Sequence, residues 1–227
     1  MQVWETVGEA EGRQGKLELR RRGGDYLLLL RGRILMSSRE DRSERALAEA
    51  LCEPLRERRA PRLLFGGLGL GRTLRAALDV LPEKAIVEVA ELESAIVDWC
   101  RGPLAEVCGH ALADRRVAVS IENVRVRSAA GPWDAIVLDL SEGPKATGLK
   151  HDALYGPRAV RDWREGLTAS GALGVWGENP SPAFEKILHR AGFGVEKLRP
   201  GRGARRHVVY VARPSGGARR RRLPSAG

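Results

Sequence analysis

The strongest constraint on the fold of this chain is a glycine cluster that directly follows a short apolar run. Residues 63–65 are Leu-Leu-Phe, and they lead into four closely spaced glycines, Gly66, Gly67, Gly69 and Gly71. A helix-like segment comes next, and a second apolar run ends at Glu91, twenty residues after the last glycine. Glycine lets a backbone turn sharply and approach a ligand closely, because it has no Cβ. An acid at this spacing accepts hydrogen bonds from ribose hydroxyls. The order predicts a nucleotide-binding strand–helix–strand unit.

The spacing of the glycines restricts the kind of nucleotide. Gly67, Gly69 and Gly71 are separated by single residues, whereas dinucleotide-binding loops have two residues before the last glycine. A pyrophosphate is therefore not the favoured ligand, and a nucleoside without phosphates fits better. The alternative is a tight strand–helix turn with a solvated Glu91.

The rest of the chain alternates between apolar runs and helical patterns. Further strands are predicted at residues 85–90, 117–121, 133–140, 171–176, 195–198 and 207–212, and helices at 73–81, 94–100, 151–167 and 183–191. Strands that alternate with helices predict a Rossmann-like α/β fold, with a mostly parallel sheet and an antiparallel final strand pair.

A small β element is predicted before this unit. Residues 15–36 alternate and turn as a β-hairpin does, and Ser43 is a candidate N-cap for a helix that extends to Leu55. The predicted organisation is an N-terminal β-hairpin element plus helix (1–58), a Rossmann-like nucleoside-binding domain (59–213) and a basic, disordered tail (214–227).

Polar residues follow three of the predicted strands. In parallel sheets, ligands bind beyond the carboxyl ends of the strands, and the side chains expected there are Glu91, Glu122, Asn123, Asp139 and, in the loop after the fourth strand, Glu142. Converging carboxylates repel one another unless a cation or a hydroxyl-rich ligand lies among them. The alternative is a set of solvated acids that pair with the many arginines.

The composition narrows the classes of partner. The net charge is +10, but a general excess of arginine and the basic tail account for it, so nucleic acid is not the favoured partner. No apolar stretch approaches the roughly 18 residues of a membrane helix, and a cytoplasmic location without membrane contact is expected. The cysteines, Cys52, Cys100 and Cys108, form no C-x-x-C pair and are expected to be reduced. No metal site is expected.

Several of these motifs together resemble the spermidine/spermine synthase family of aminopropyltransferases, which has a class I methyltransferase-like fold. The resemblance covers about residues 16–212. It includes the glycine motif, the acid in Glu91-Leu92-Glu93, the Asp114–Val117 lead into a strand, Glu122-Asn123, the strand Trp133–Asp139 with its acidic loop, and Leu154-Tyr155.

The resemblance implies a transferase of polyamine biosynthesis, which moves an aminopropyl group from decarboxylated S-adenosylmethionine to a polyamine-type amine. It implies that the co-substrate is held by the four glycines, Glu91, Leu92, Glu122 and Asn123. Asp139 would be the base, and Glu142 would bind the far ammonium of the acceptor. It also implies a homodimer.

Three departures from the family pattern leave alternatives open. The family has an aspartate where this chain has Gly69, residues 37–51 lack the Gln and Tyr of the family's lid, and the loop acid is Glu142 rather than Asp. An aspartate would repel the carboxylate of intact S-adenosylmethionine, and Gly69 removes that repulsion. An S-adenosylmethionine-dependent methyltransferase is therefore the second hypothesis, and a non-catalytic nucleoside-binding protein is the third.

Overall fold

A computed structural model describes residues 3–141, 143–145, 148–149, 152–200 and 207–215. The N-terminal part is a four-stranded antiparallel sheet with strands β1 (Glu5–Gly12), β2 (Gly15–Arg22), β3 (Asp25–Leu30) and β4 (Arg33–Ser37). This sheet confirms the predicted N-terminal β element. The sequence pattern does not predict β1, because residues 5–12 contain four polar residues and two glycines. Strand β1 is held by its antiparallel backbone pairing with β2 and by ion pairs between the two strands, such as Lys16–Glu9 at 2.8 Å.

The second sheet has seven strands and confirms the Rossmann-like fold class. Its strands are β5 (Arg62–Gly66), β6 (Ile86–Glu91), β7 (Val117–Ile121), β8 (Trp133–Leu138), β9 (Leu167–Gly177), β10 (Phe193–Leu198) and β11 (Val208–Pro214). The order is β10-β11-β9-β8-β5-β6-β7. Strands β5 to β9 pair in parallel, and β11 pairs antiparallel with both β9 and β10.

Helices cover this sheet on both faces. They are α1 (Arg42–Cys52), α2 (Arg72–Val80), α3 (Ser94–Arg101), α4 (Val124–Ser128), α5 (Pro157–Gly166) and α6 (Pro182–Arg190), with short 3₁₀ helices at Glu53–Leu55 and Ala111–Ala113. Helix α5 begins six residues later than the pattern predicts, because Pro157 occupies its first turn, where a missing N–H costs nothing. Helix α4 is not among the predicted helices, and the Asn123 side chain caps its N-terminus.

Residue Ser43 does not have its predicted role. The N-cap of α1 is Asp41, and the hydroxyl of Ser43 in the first turn instead contacts Glu44 and His207. A contact with a residue 164 positions away leaves no local signal in the sequence, so the capping rule gave the wrong role here.

Helix α1 packs tightly on β9 through a glycine. A Cβ placed on Gly174 would lie 2.7 Å from Leu47 Cδ1 and still closer to Leu51 Cδ1. We expect Gly174→Ala to lower the free energy of unfolding by about 1–3 kcal/mol, because the added methyl overpacks this contact. Urea denaturation measures the change. Gly194→Ala is the control, since the atom nearest to its added Cβ would be Arg213 O at 3.8 Å. An equal loss in both variants would contradict the packing argument.

The described helices include none that is both long and apolar enough to cross a membrane. Residues 201–206, and residues 216–227 of the predicted tail, lie outside the described residues.

Candidate active site

The glycine loop, residues 66–71, lies between the carboxyl ends of β6 and β8. The N–H of Gly67 donates to Ala90 O at 3.0 Å, and the N–H of Asp139 donates to Gly66 O at 3.1 Å. Strands β6 and β8 both neighbour β5, so Glu91 and Asp139 lie at the same edge of the sheet. This is the edge at which open α/β sheets bind ligands.

The glycines are required by backbone conformation and by close packing. Gly67, Gly69 and Gly71 have φ values of 88°, 52° and 70°, a region that residues with a Cβ adopt at a cost. A Cβ on Gly67 would lie 2.6 Å from Asp139 O, and one on Gly69 would overlap the Met36 side chain. The loop therefore packs between the end of β8 and the N-terminal sheet.

The carboxylate of Glu91 organises this loop. The residue is buried, and its Oε2 accepts the N–H of Leu68 at 2.8 Å. Its Oε1 accepts the N–H groups of Leu92 and Glu93 at 2.7 and 3.0 Å. A carboxylate has about four acceptor positions, so three backbone contacts leave room for one hydroxyl.

Two other residues predicted to hold the nucleoside have local partners. Glu122 lies 3.8 Å from the Arg127 guanidinium, and the Asn123 side chain accepts the N–H of Arg125 at 2.9 Å. Both residues follow β7, the strand beside β6. Both residues therefore lie near the predicted edge of the sheet, but their side chains bond to residues of α4.

Asp139 has the environment of a base that works near neutral pH. Its Oδ2 accepts the Thr73 hydroxyl at 2.5 Å. Burial and, to a smaller extent, the negative charge of Glu44 raise the pKa of Asp139 to about 7, and the Thr73 hydrogen bond opposes the rise. A carboxyl group with this pKa exchanges a proton readily in neutral solution.

A cavity of about 590 Å³ opens beside Asp139, between the two sheets. One wall is apolar: it is formed by Trp4, the residue before β1, and by Leu27, Ile34, Leu35 and Met36 of the N-terminal sheet. Trp176 of β9 and His207, the residue before β11, also line it. The lining includes Asp139 and none of the other described residues predicted to take part in binding or catalysis. The glycine loop borders the cavity, because a Cβ on Gly69 would overlap Met36 and one on Gly67 would lie 2.6 Å from Asp139 O.

Acidic groups outnumber basic groups in the lining of this cavity. The carboxylates are those of Glu40, Glu44, Asp139 and Glu178, and the guanidinium groups are those of Arg33 and Arg39. Arg39, which also lines the cavity, is neutralised by Asp25 at 2.6 Å. Within the described part of the chain, Glu40, Glu44 and Glu178 form no ion pair. Such a cavity favours a cationic ligand with an apolar portion. Sequence reasoning did not identify Glu40, Glu44 or Glu178, since no local motif contains them.

Some predicted features lie beyond what the structure describes. Glu142 is outside the described residues, so its role stays a prediction. Over the described ranges, no three His, Cys, Asp or Glu side chains are grouped as a metal site requires.

Comparison with known proteins identifies the fold. No protein-family model and no curated protein sequence matches the chain. Among solved structures, the spermidine synthase of Thermotoga maritima superposes with a TM-score of 0.69 at 15% identity, over 92% of this chain and 72% of that protein. The chain has a spermidine synthase-like fold.

Two further structures support the same fold. A spermidine synthase in complex with the transition-state analogue AdoDATO gives a TM-score of 0.69 at 14% identity, over 92% of this chain and 72% of that protein. A probable spermidine synthase from Corynebacterium glutamicum gives 0.61 at 15% identity, over 91% and 79%. The resemblance drawn from the motifs is thereby confirmed at the level of the spermidine synthase-like fold.

Proposed function

We propose that this protein transfers an aminopropyl group from decarboxylated S-adenosylmethionine to an amine that binds in the cavity. The observation that carries the proposal is the acidic cavity beside Asp139, with four carboxylates in its lining. A cationic amine is the class of acceptor that these charges attract. The solved spermidine synthase that holds AdoDATO has the same fold.

The reaction needs a base and alignment of the reacting atoms. An ammonium cannot attack, because its nitrogen has no lone pair, so Asp139 takes one proton from it. The freed nitrogen pair forms a C–N bond to the methylene carbon next to the sulfonium. The C–S bond breaks, its electron pair stays on sulfur, and neutral 5′-methylthioadenosine leaves. The Thr73 hydroxyl, 2.5 Å from Asp139 Oδ2, holds the base in place.

The nucleoside part of the co-substrate would lie along the glycine loop near Glu91, with its aminopropyl group extended toward Asp139. One acceptor position of Glu91 remains for a ribose hydroxyl, and the positive φ values of the loop glycines allow close approach of a nucleoside. Leu92, Glu122 and Asn123 stay predictions as nucleoside contacts, as do Glu142 as an amine ligand and the homodimer.

One observation favours methyl transfer from intact S-adenosylmethionine as the second candidate. Arg72 follows the glycine loop directly, and its Nη2 donates to Ser38 O at 3.1 Å. Its buried Nε–H has no partner among the described residues. With Gly69 in place of an acid, this positive charge would suit a carboxylate on the co-substrate.

Product analysis separates the two candidates. The protein is incubated with 1,4-diaminobutane or spermidine and with each co-substrate in turn, and mass spectrometry identifies the products. We expect 5′-methylthioadenosine and an amine extended by one aminopropyl group, from the decarboxylated co-substrate only. S-adenosylhomocysteine with a methylated acceptor would establish the methyltransferase instead. Absence of both products, with nucleoside binding retained in calorimetry, would contradict both transfers.

A further inference from the structure

A chain of hydrogen bonds runs along the cavity wall from a carboxylate to an imidazole. Ser43 Oγ lies 2.6 Å from Glu44 Oε2 and 3.0 Å from His207 Nδ1. Ser43 is buried, with 4% of its surface exposed, whereas Glu44 and His207 both line the cavity. The three residues come from α1 and from the residue before β11, so only the tertiary fold brings them together.

The positions of the hydrogens follow from what each group can donate. The Glu44 carboxylate has no hydrogen to give, so the Ser43 hydroxyl donates its single hydrogen to Glu44. The Ser43 oxygen then accepts from His207, which places a hydrogen on Nδ1. In a neutral imidazole of this tautomer, the lone pair is on Nε2.

The orientation of the ring directs Nε2 away from α1. His207 Nδ1 faces the buried Ser43 hydroxyl, and the ring packs edge-on against Trp176, with centroids 4.9 Å apart and planes at 61°. The far edge of the imidazole is thus the polar edge left for the cavity. Over the part of the chain that the structure describes, no group hydrogen-bonds to Nε2.

We propose that His207 is a further acceptor-binding residue, whose Nε2 accepts a hydrogen bond from an N–H of the distal nitrogen of the amine. Ser43 and Glu44 are positioning residues that hold the imidazole in the required tautomer. The proposal rests on the proposed function, in which Asp139 serves the attacking nitrogen. The lone pair of His207 Nε2 at the cavity wall favours amines that carry an N–H, and it repels carboxylate or phosphate oxygens.

Two substitutions at His207 test the roles of Nδ1 and Nε2 separately. His207→Asn keeps an N–H near the position of Nδ1 but has no acceptor at Nε2, whereas His207→Gln places a carbonyl oxygen near Nε2. We expect His207→Asn to raise the KM for 1,4-diaminobutane about tenfold, the effect of one lost hydrogen bond. We expect kcat and co-substrate affinity to stay within about twofold. His207→Gln should retain most of the affinity for the amine.

A modified acceptor completes the test. (4-Aminobutyl)trimethylammonium keeps the nucleophilic nitrogen and the distal charge but has no distal N–H. The wild-type protein should bind it more weakly than 1,4-diaminobutane, and His207→Asn should bind both alike. A His207→Asn variant that lowers kcat alone, or that weakens both acceptors equally, would overturn the proposal. His110→Asn is the control, since His110 is exposed and pairs with Glu106.

A spectroscopic measurement distinguishes failure of this proposal from failure of the proposed function. Nitrogen NMR of the full chain reports the His207 tautomer directly, without any turnover. We expect a protonated Nδ1, an unprotonated Nε2, and a shift of Nε2 when 1,4-diaminobutane is added. An unprotonated Nδ1, or an Nε2 signal unmoved by saturating amine, would refute the role of His207. An Nε2 shift without turnover of any amine would refute only aminopropyl transfer.

Discussion

Asp139→Asn should reduce transfer to the amine by about 10²–10⁴-fold, the usual contribution of a positioned general base, while nucleoside affinity stays unchanged. The asparagine amide cannot take a proton from the acceptor ammonium. Stopped assays of 5′-methylthioadenosine formation measure the rate, and calorimetry measures the affinity. Because burial raises the pKa of Asp139 to about 7, kcat/KM for the amine should rise with pH through about 7, and the variant should lose this step.

The same carboxyl group makes stability depend on pH. Between about pH 4 and 7, the folded protein keeps a proton on Asp139 that the unfolded chain has released, since the folded pKa lies above the ordinary value of 3.8. The stability that this proton contributes is fully present below about pH 4. The free energy of unfolding then falls as the pH rises from about 4 through 7, where the folded protein loses the proton as well. Asp139→Asn should flatten this part of the stability profile.

Asp134→Asn is the matched control for Asp139→Asn. Asp134 lies in β8, the strand that ends directly before Asp139, but near the opposite end of the strand, where it pairs with Arg58 and accepts the N–H of Arg62 at 2.9 Å. The control should lose stability and keep the rate per folded molecule. If Asp139→Asn abolished nucleoside binding together with transfer, the division of roles between Asp139 and Glu91 would be wrong.

Glu91→Gln should weaken nucleoside binding by about 10²-fold, because it removes both a charged acceptor for the ribose and the support of the glycine loop. A glutamine amide has one oxygen in place of two, so the N–H of Leu68 or those of Leu92 and Glu93 lose their acceptor. We also expect the free energy of unfolding to fall by about 1–3 kcal/mol. Calorimetric titration with 5′-methylthioadenosine, well below the unfolding temperature, measures the affinity.

Glu88→Gln provides the comparison for the effect of stability alone. Glu88 is a second buried acid of β6, three residues earlier, and it pairs with Arg62 at 3.6 Å and with Arg127. This variant should lose stability to a similar degree and bind the nucleoside normally. Equal losses of affinity in both variants would show that Glu91 acts through the fold and has no contact with the ribose.

The glycine loop and the strands around it could be predicted from the sequence, because their signals are local. Residues 63–65 form a short apolar run, glycine tolerates the turn, and a buried strand leads to Glu91 and another to Asp139. The edge of a parallel sheet then brings both acids to one place. Elements whose stability comes from a partner were missed, such as β1, whose polar residues pair with β2.

The sequence by itself determined the fold class and the positions of the glycine loop, Glu91 and Asp139, since strand period, turn chemistry and parallel pairing depend on near neighbours. Only the tertiary structure decided the cavity beside Asp139. Its acids Glu40, Glu44 and Glu178 and its imidazole, His207, come from segments far apart in the chain. They meet because the N-terminal sheet and α1 pack against the carboxyl edge of the larger sheet, and packing over such separations leaves no periodic signal in the sequence.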